Sequence, residues 1–157
     1  MNPMRSLAIR LGGQPWLPKL SGPIVRVDKL LQQLTGRRIT LLTLSGIPEL
    51  MLTVPDRRTG EPRSSPLVCA PHEHGWVVAG SNWGQDTPPH WVGSLDVAPV
   101  ATVTYQGHDT VVVPRRATGT ERETLWQTML DTWPNFAKNA ERAGNREIPI
   151  FVLERRV

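Results

Sequence analysis

Cysteine occurs once, at Cys69, so no internal disulfide can staple the fold, and a reducing cytoplasm is the expected location. Long apolar runs are missing too: Glu49 interrupts the longest, Leu41 to Val54, well short of the ~18 residues that a membrane span needs. The first residues lack an uninterrupted apolar stretch with a small-residue cleavage site, so no secretory leader is expected. Lysine stands only at positions 19, 29 and 138, and Tyr105 is the single tyrosine. Several chemical signatures are absent. Without a Gly-x-Ser-x-Gly elbow a hydrolase triad is unsupported. Without a Gly-x-x-x-x-Gly-Lys-Ser/Thr loop or a Gly-x-Gly-x-x-Gly turn after a strand, nucleoside triphosphates and Rossmann-bound dinucleotides are disfavoured. His72, Glu73 and His74, even with Cys69 nearby, make no recognisable zinc pattern, and no metal is expected. There is no internal repeat and no low-complexity tract.

What is present fits one globular domain. The chain has 157 residues, 39% hydrophobic and 20% charged, enough to bury a sizeable core. Proline is plentiful at 15, which argues against a helical bundle and for a loop-punctuated, β-rich or mixed fold. Lys plus Arg number 18 against 14 acids, and the pI is near 10.0, so anionic partners are favoured. Most of the cations are Arg, the better fork for phosphate and carboxylate oxygens. Aromatic and Arg residues are not interleaved as in RNA-binding motifs, so no nucleic-acid partner is expected.

Along the chain, residues 1–23 carry Gly12, Gly13, Pro15, Pro18, Gly22 and Pro23 and read as a flexible arm before a single domain over 24–157. Within the arm, Met4 to Leu11 could form two helical turns; short, cationic and apolar, they would suit an anionic membrane surface, against the competing expectation of a helix packed on its own domain. Ile24, Val27, Leu30, Leu31 and Leu34 have the spacing of an amphipathic helix lying on the body, with Gly36 as its C-terminal cap. Arg38 to Leu44 and Leu50 to Val54 read as a hairpin, followed by strands at Arg63 to Ala70 and Trp76 to Ser81. Pro88 opens a short helix to Ala98 with Thr87 as its cap, and Val100 to Tyr105 and Thr110 to Val113 make a second hairpin. A helix capped by Thr118 or Thr120 follows, with Leu125, Met129, Leu130, Trp133 and Phe136 on one face and an interruption at Pro134. Ile148 to Leu153 is the last strand. Too few strands are followed by crossover helices for a doubly wound sheet. The fold class is α+β, mainly β: a small antiparallel barrel with peripheral helices.

Two stretches could carry chemistry. Asp56 to Leu67 places Arg57, Arg58 and Arg63 around one turn, where several charge-assisted bonds could hold a polyanion with Thr59 and turn N–H groups. The bland alternative is a solvated turn with Arg57 paired to Asp56. In Gly80 to Leu95 a strand ends in a Ser81-Asn82-Trp83-Gly84 loop that runs towards a helix N-terminus, again suited to an anion, with Trp91 and Leu95 read mainly as core. Trp83, Trp91 and Trp133 could wall a slot for a planar ring.

From about Ile47 to Leu153 these features resemble the deazaflavin-dependent nitroreductase family, whose members adopt a split β-barrel related to the FMN-binding oxidoreductases. The family pattern Leu-Thr-x-x-Gly-Arg-Lys-Ser/Thr-Gly-x-x-Arg-x-x-Pro-Leu is similar to Leu52 through Leu67. Its Ala-Ser-x-x-Gly loop and Pro-x-Trp-x-x-Asn-Leu helix are similar to Gly80 through Gly84 and Pro89 through Leu95, and its closing Arg-x-Ile-Pro-Ile/Val to Arg146 through Ile150. The resemblance implies coenzyme F420, with FMN as the alternative, and hydride transfer from the reduced deazaflavin to a quinone, enone or nitro compound. By the same resemblance Arg57, Arg58, Thr59, Arg63, Pro66, Leu67, Ser81, Asn82, Gly84 and Trp91 would border the cofactor. Asp56 stands where the family usually has Gly, Arg58 where it has Lys, and Ser94 where it has Asn. Positions where better-known relatives close the substrate pocket with Tyr hold Val68, Trp133, Phe136 and Asn139; Val68, Trp133 and Phe136 are the acceptor-pocket candidates, and nitroimidazole reduction is disfavoured. A homodimer is compatible with this reading. The rival class is a noncatalytic binder of a flavin, a fatty acid or a similar amphiphile.

Overall fold

The computed structural model describes residues 3–16, 19, 21–34 and 45–157. Its strands are β1 (Glu49–Pro55), β2 (Pro62–His72), β3 (Gly75–Ala79), β4 (Ala101–Tyr105), β5 (His108–Arg116) and β6 (Ile150–Arg155). They close into an antiparallel barrel in the spatial order β1-β2-β3-β6-β5-β4. The run Arg38 to Leu44 and the cap Gly36 lie outside the described residues. β1 takes its two neighbours from later in the chain, β2 and β4.

Side-chain alternation explains which face of each strand is buried. In β1, Leu50, Leu52 and Val54 point into the barrel, where they meet Val78, Val103, Val112, Phe151 and Leu153. Burying an aliphatic side chain of this size contributes about 1.5–3 kcal/mol. β3 and the first four residues of β6 are buried on both faces, because a second core covers the outside of the barrel there. Val77, Ala79, Ile150 and Val152 pack on that side against Leu125, Met129, Trp133 and Phe136. Gly75 opens β3 so close to β6 that a Cβ would overlap the Leu153 carbonyl oxygen, so only glycine fits the register. At the β4–β5 turn, Gln106 (φ 50°) and Gly107 (φ 81°) are both left-handed, giving a two-residue hairpin tighter than the four-residue turn expected from sequence.

The helices are α1 (Pro3–Gly12), α2 (Ser21–Leu34), α3 (His90–Val97), α4 (Gly119–Thr132) and α5 (Phe136–Ala143). α3 begins two residues later than expected, with Pro89 and not Thr87 before its first turn. Pro89 disfavours helical geometry at Pro88, so the helix cannot open there. Pro134 separates α4 from α5, and the residue before it, Trp133, is extended as that position requires (φ −139°, ψ 89°).

The segment expected as a flexible arm carries α1, and α1 is tied down. Ala8 and Ile9 pack on the outer core, Asn135 Nδ2 donates to the Ile9 carbonyl, and Arg142 Nη2 donates to that of Gly13 at 2.8 Å. α2 departs from expectation in the opposite sense. Its stripe is there, but Val27 and Leu30 are more than half exposed and Leu34 is 77% exposed, so those positions do not lie on the body. Periodicity specifies an apolar stripe, not the surface that covers it.

Candidate active site

Between the β1–β2 hairpin and α5 runs a cleft of about 380 Å³, within the usual range for small-ligand sites. One wall is β2 from Ser65 to Val68. The opposite side is formed by Ala79, the Ser81–Trp83 turn, Pro89 to Trp91 at the start of α3, and Trp133, Phe136 and Asn139 from the α4–α5 corner. A niche of about 20 Å³ adjoins it, sharing Ser65, His90 and Trp91 and adding Val54, Arg63 and Ser94.

The Ser81–Trp83 wall is shaped by three consecutive left-handed residues, Asn82 (φ 45°), Trp83 (φ 57°) and Gly84 (φ 77°). Such a backbone persists only where its surroundings over-determine it. Here the determinant is Arg146, which donates to the carbonyls of Gly80 (3.1 Å), Ser81 (2.6 Å) and Gln85 (3.0 Å). Asn82 Nδ2 donates to the Thr87 carbonyl at 2.9 Å, and Asn139 Nδ2 to Ser81 Oγ at 3.3 Å. Gly84 faces away from the cleft and presses on α5, where a Cβ would overlap the Asn139 carbonyl oxygen and lie 2.6 Å from Arg142 Cβ. The same helix therefore positions the turn on one side and α1 on the other.

The three arginines of the β1–β2 turn do not converge. Arg63 borders the niche, whereas Arg57 lies along α3, where a Cβ on Gly93 would fall 2.8 Å from its Cζ. Arg58 is exposed, and neither Arg58 nor Thr59 lines the cleft. Asp56 is responsible for this arrangement. Its Oδ1 accepts from the backbone N–H groups of Arg58 (2.8 Å) and Thr59 (3.0 Å), and its Oδ2 lies 3.4 Å from Arg63 Nη1 and 3.2 Å from His90 Nε2. The partner of Asp56 is thus Arg63 rather than Arg57, whose own N–H donates to Ser94 Oγ at 3.1 Å.

These backbone donors, followed by Arg63 and the neighbouring His90, hold the Asp56 carboxyl below its ordinary pKa. A depressed folded-state pKa stabilises the fold above the unfolded-state value, and that contribution is lost as the pH falls through the folded-state value. Asp56→Asn should therefore flatten the acid limb of the stability–pH curve, measured by denaturant melts from neutral pH downwards.

Of the residues proposed from sequence, Pro66, Leu67, Val68, Ser81, Asn82, Trp91, Trp133 and Phe136 meet at the main cleft, with Arg63 beside it. Ser65, Ala79, Pro89 and His90 join them without having been singled out, and Asn139 and Trp83 move from marginal to central. Trp91 serves two surfaces, lining the cleft and packing edge-on to Phe151 in the barrel core, with ring centroids 5.9 Å apart.

A family model described as F420H(2)-dependent quinone reductase matches residues 24–155. The chain belongs to this family. It is accordingly an oxidoreductase that uses coenzyme F420. An F420H(2)-dependent quinone reductase of Mycobacterium tuberculosis is 24% identical over 144 residues, which span 90% of this chain and 97% of the relative. Among solved structures, an F420-H2 dependent reductase aligns with a TM-score of 0.63 and 23% identity, covering 68% of this chain and 94% of its own. A second, described as a domain-swapped dimer, aligns with a TM-score of 0.65 and 20% identity, covering 84% and 99%. These place the barrel in the split-barrel fold. The donor set suits the family's cofactor: aromatic side chains for a planar ring, the short polar side chains of Ser65, Ser81, Asn82 and Asn139, and the Arg63 guanidinium in the adjoining niche for an anionic arm.

Proposed function

We propose that the deazaflavin ring occupies the cleft between β2 and the Ser81–Trp83 turn, with its anionic arm towards Arg63 and a quinone-type acceptor entering beside Trp133 and Phe136. The observation that carries this reading is the cleft itself, lined by Trp83, Trp91, Trp133 and Phe136, with Arg63 in the niche that adjoins it. Coenzyme F420 supplies the hydride. The chain's own residues hold and orient. Pro66 and Leu67 present an apolar surface, Ser81 and Asn82 offer polar groups on a turn fixed by Arg146, and Trp91, Trp133 and Phe136 exclude water from the reacting face. No tyrosine lines the cleft, so phenolic proton donation is not part of this site. The reading predicts that the purified protein accelerates oxidation of reduced F420 by a soluble naphthoquinone, with saturation in both substrates. Binding of the coenzyme without quinone-dependent turnover would overturn it.

Further readings concern partners and location. Pairing of two copies is supported by the related domain-swapped dimer, and a cytoplasmic location stays the expectation drawn from the single Cys69. α1 is docked on its own domain, the expectation that competes with membrane contact, so such contact would involve the outer side of the helix alone. While Ala8 and Ile9 are docked, Met4, Leu7 and Leu11 are 50%, 57% and 44% exposed beside Arg10. Deletion of α1 would be a poor test, because Gly12 abuts the Trp133 ring and the helix end backs the cleft. Replacing Leu7 and Leu11 together with Glu should instead abolish co-sedimentation with anionic liposomes while leaving coenzyme binding unchanged. Equal co-sedimentation of variant and parent would exclude the contact.

A further inference from the structure

Three side chains reach the cleft from the α4–α5 corner: Trp133, Phe136 and Asn139. Two are aromatic, and the third is an amide that is 4% exposed. A polar side chain buried to that degree ordinarily finds partners for its atoms within the protein. Asn139 does so at one end only. Its Nδ2 donates to Ser81 Oγ at 3.3 Å, a buried contact, but among the described residues no donor meets its Oδ1. Nor is Oδ1 sealed inside the core: the residue lines the cleft, and Oδ1 is not among the fully enclosed polar atoms that lack a partner.

Both ends of the Asn139–Ser81 contact are held in place. The Asn139 N–H donates to the Asn135 carbonyl at 3.0 Å, and Gly84 presses on the Asn139 carbonyl from behind. Ser81 is fixed through its own carbonyl, which accepts from Arg146 at 2.6 Å. The pair therefore presents one acceptor to the cleft, Asn139 Oδ1, and beside it one donor, the Ser81 O–H, which finds no acceptor among the described residues. Water in the open cleft can serve both groups, and a ligand that displaces the water must replace its bonds or leave them unmade. A bare quinone carries carbonyl acceptors alone. It can satisfy Ser81, but it leaves Oδ1 stripped and unpaired beside Trp133 and Phe136. A molecule with a donor next to its carbonyl answers both groups, and a site built to pair such a donor discriminates strongly against the analogue that lacks it.

We infer that Asn139 is a specificity-determining residue: it selects electron acceptors that bear a hydroxyl or N–H group next to the reducible carbonyl, its Oδ1 taking that donor while the Ser81 hydroxyl donates to the carbonyl. This rests on the reading that the cleft holds coenzyme F420 with a quinone-type acceptor beside Trp133 and Phe136. Asn139 stands one helical turn beyond Phe136, at that same end.

The test compares two oxidants of reduced F420, menadione and its analogue with a hydroxyl on the methyl group, in the parent protein, Asn139→Leu and Asn139→Asp. The quantity read is the ratio of kcat/KM for the hydroxylated quinone to that for menadione. The amount of folded enzyme cancels within each ratio, and the intrinsic reactivity of the two quinones cancels between proteins. Asn139→Leu, which removes the acceptor oxygen, should lower the ratio about tenfold, a factor within the range for stripping a buried acceptor without replacing its bond. Asn139→Asp keeps an acceptor oxygen and should hold the ratio within about twofold of the parent. An unchanged or raised ratio in Asn139→Leu would overturn the proposal, as would an equal fall in Asn139→Asp. Loss of turnover with both quinones in Asn139→Leu would overturn it too, by assigning the residue to the fold or to the reaction rather than to the choice of acceptor. Weakened coenzyme binding with an unaltered ratio would assign the pair to the deazaflavin ring instead. Titration of the parent with oxidised F420 keeps the two readings apart: absence of binding there would remove the cleft reading and this proposal with it, whereas binding with an unaltered ratio removes the proposal alone.

Discussion

Gly84→Ala is expected to destabilise the protein by about 2–4 kcal/mol and to weaken coenzyme binding by at least about tenfold, although Gly84 does not line the cleft. Two costs combine. A left-handed backbone at φ 77° is unfavourable for any residue with a Cβ, and that Cβ would overlap the carbonyl oxygen of Asn139. Because the obstructing atom belongs to the backbone of α5, it cannot swing aside as a side-chain tip would. The turn must lift, carrying Ser81 and Asn82 away from the wall and stretching the Asn139–Ser81 hydrogen bond. Thermal unfolding should show Tm lowered by about 5–15 °C. A melt and a binding curve both unchanged would mean that the turn is not held against α5 as described.

Trp91→Ala should cost about 3–5 kcal/mol, because this side chain fills the barrel core as well as the cleft wall. Trp83→Ala provides the contrast. Trp83 lines the same cleft but is only half-buried and belongs to neither core, so stability should change by less than about 0.5 kcal/mol. Coenzyme affinity should still fall roughly threefold to tenfold through the lost ring contact. Denaturant melts and binding titrations on the two variants separate anchoring in the core from contact with the ring. Equal destabilisation by both substitutions would contradict the division of roles.

The barrel was legible because its signals are local. Alternation at Leu50, Leu52 and Val54, the break at Pro134 and the pairing of β4 with β5, though not the length of its turn, each follow from neighbouring residues and backbone geometry. The aromatic side of the cleft was legible in part: Trp91, Trp133 and Phe136 were named, but their meeting depends on α4 and α5 folding over β3 and β6, which no local pattern specifies. Spacing places Arg57, Arg58 and Arg63 on one hairpin, yet which guanidinium Asp56 engages depends on α3, which supplies His90 to its carboxylate and Gly93 as the surface along which Arg57 lies. The apolar stripe on α2 is exposed at Val27, Leu30 and Leu34, since sequence periodicity carries no information about a partner surface.

Five of the six tryptophans provide a direct test of where the coenzyme sits, Trp126 being left aside because it packs on the cleft residue Phe136 without lining the cleft. Trp83, Trp91 and Trp133 line the cleft, whereas Trp76 is packed inside the barrel against Tyr105 and Trp16 lies outside the cleft. In a nitrogen-15 NMR titration with oxidised coenzyme F420, the indole N–H signals of Trp83, Trp91 and Trp133 should shift with a common saturation curve while those of Trp16 and Trp76 stay in place. Saturable shifts confined to Trp16 and Trp76, or no shift in any indole at saturating coenzyme, would contradict the assignment of the cleft as the cofactor site.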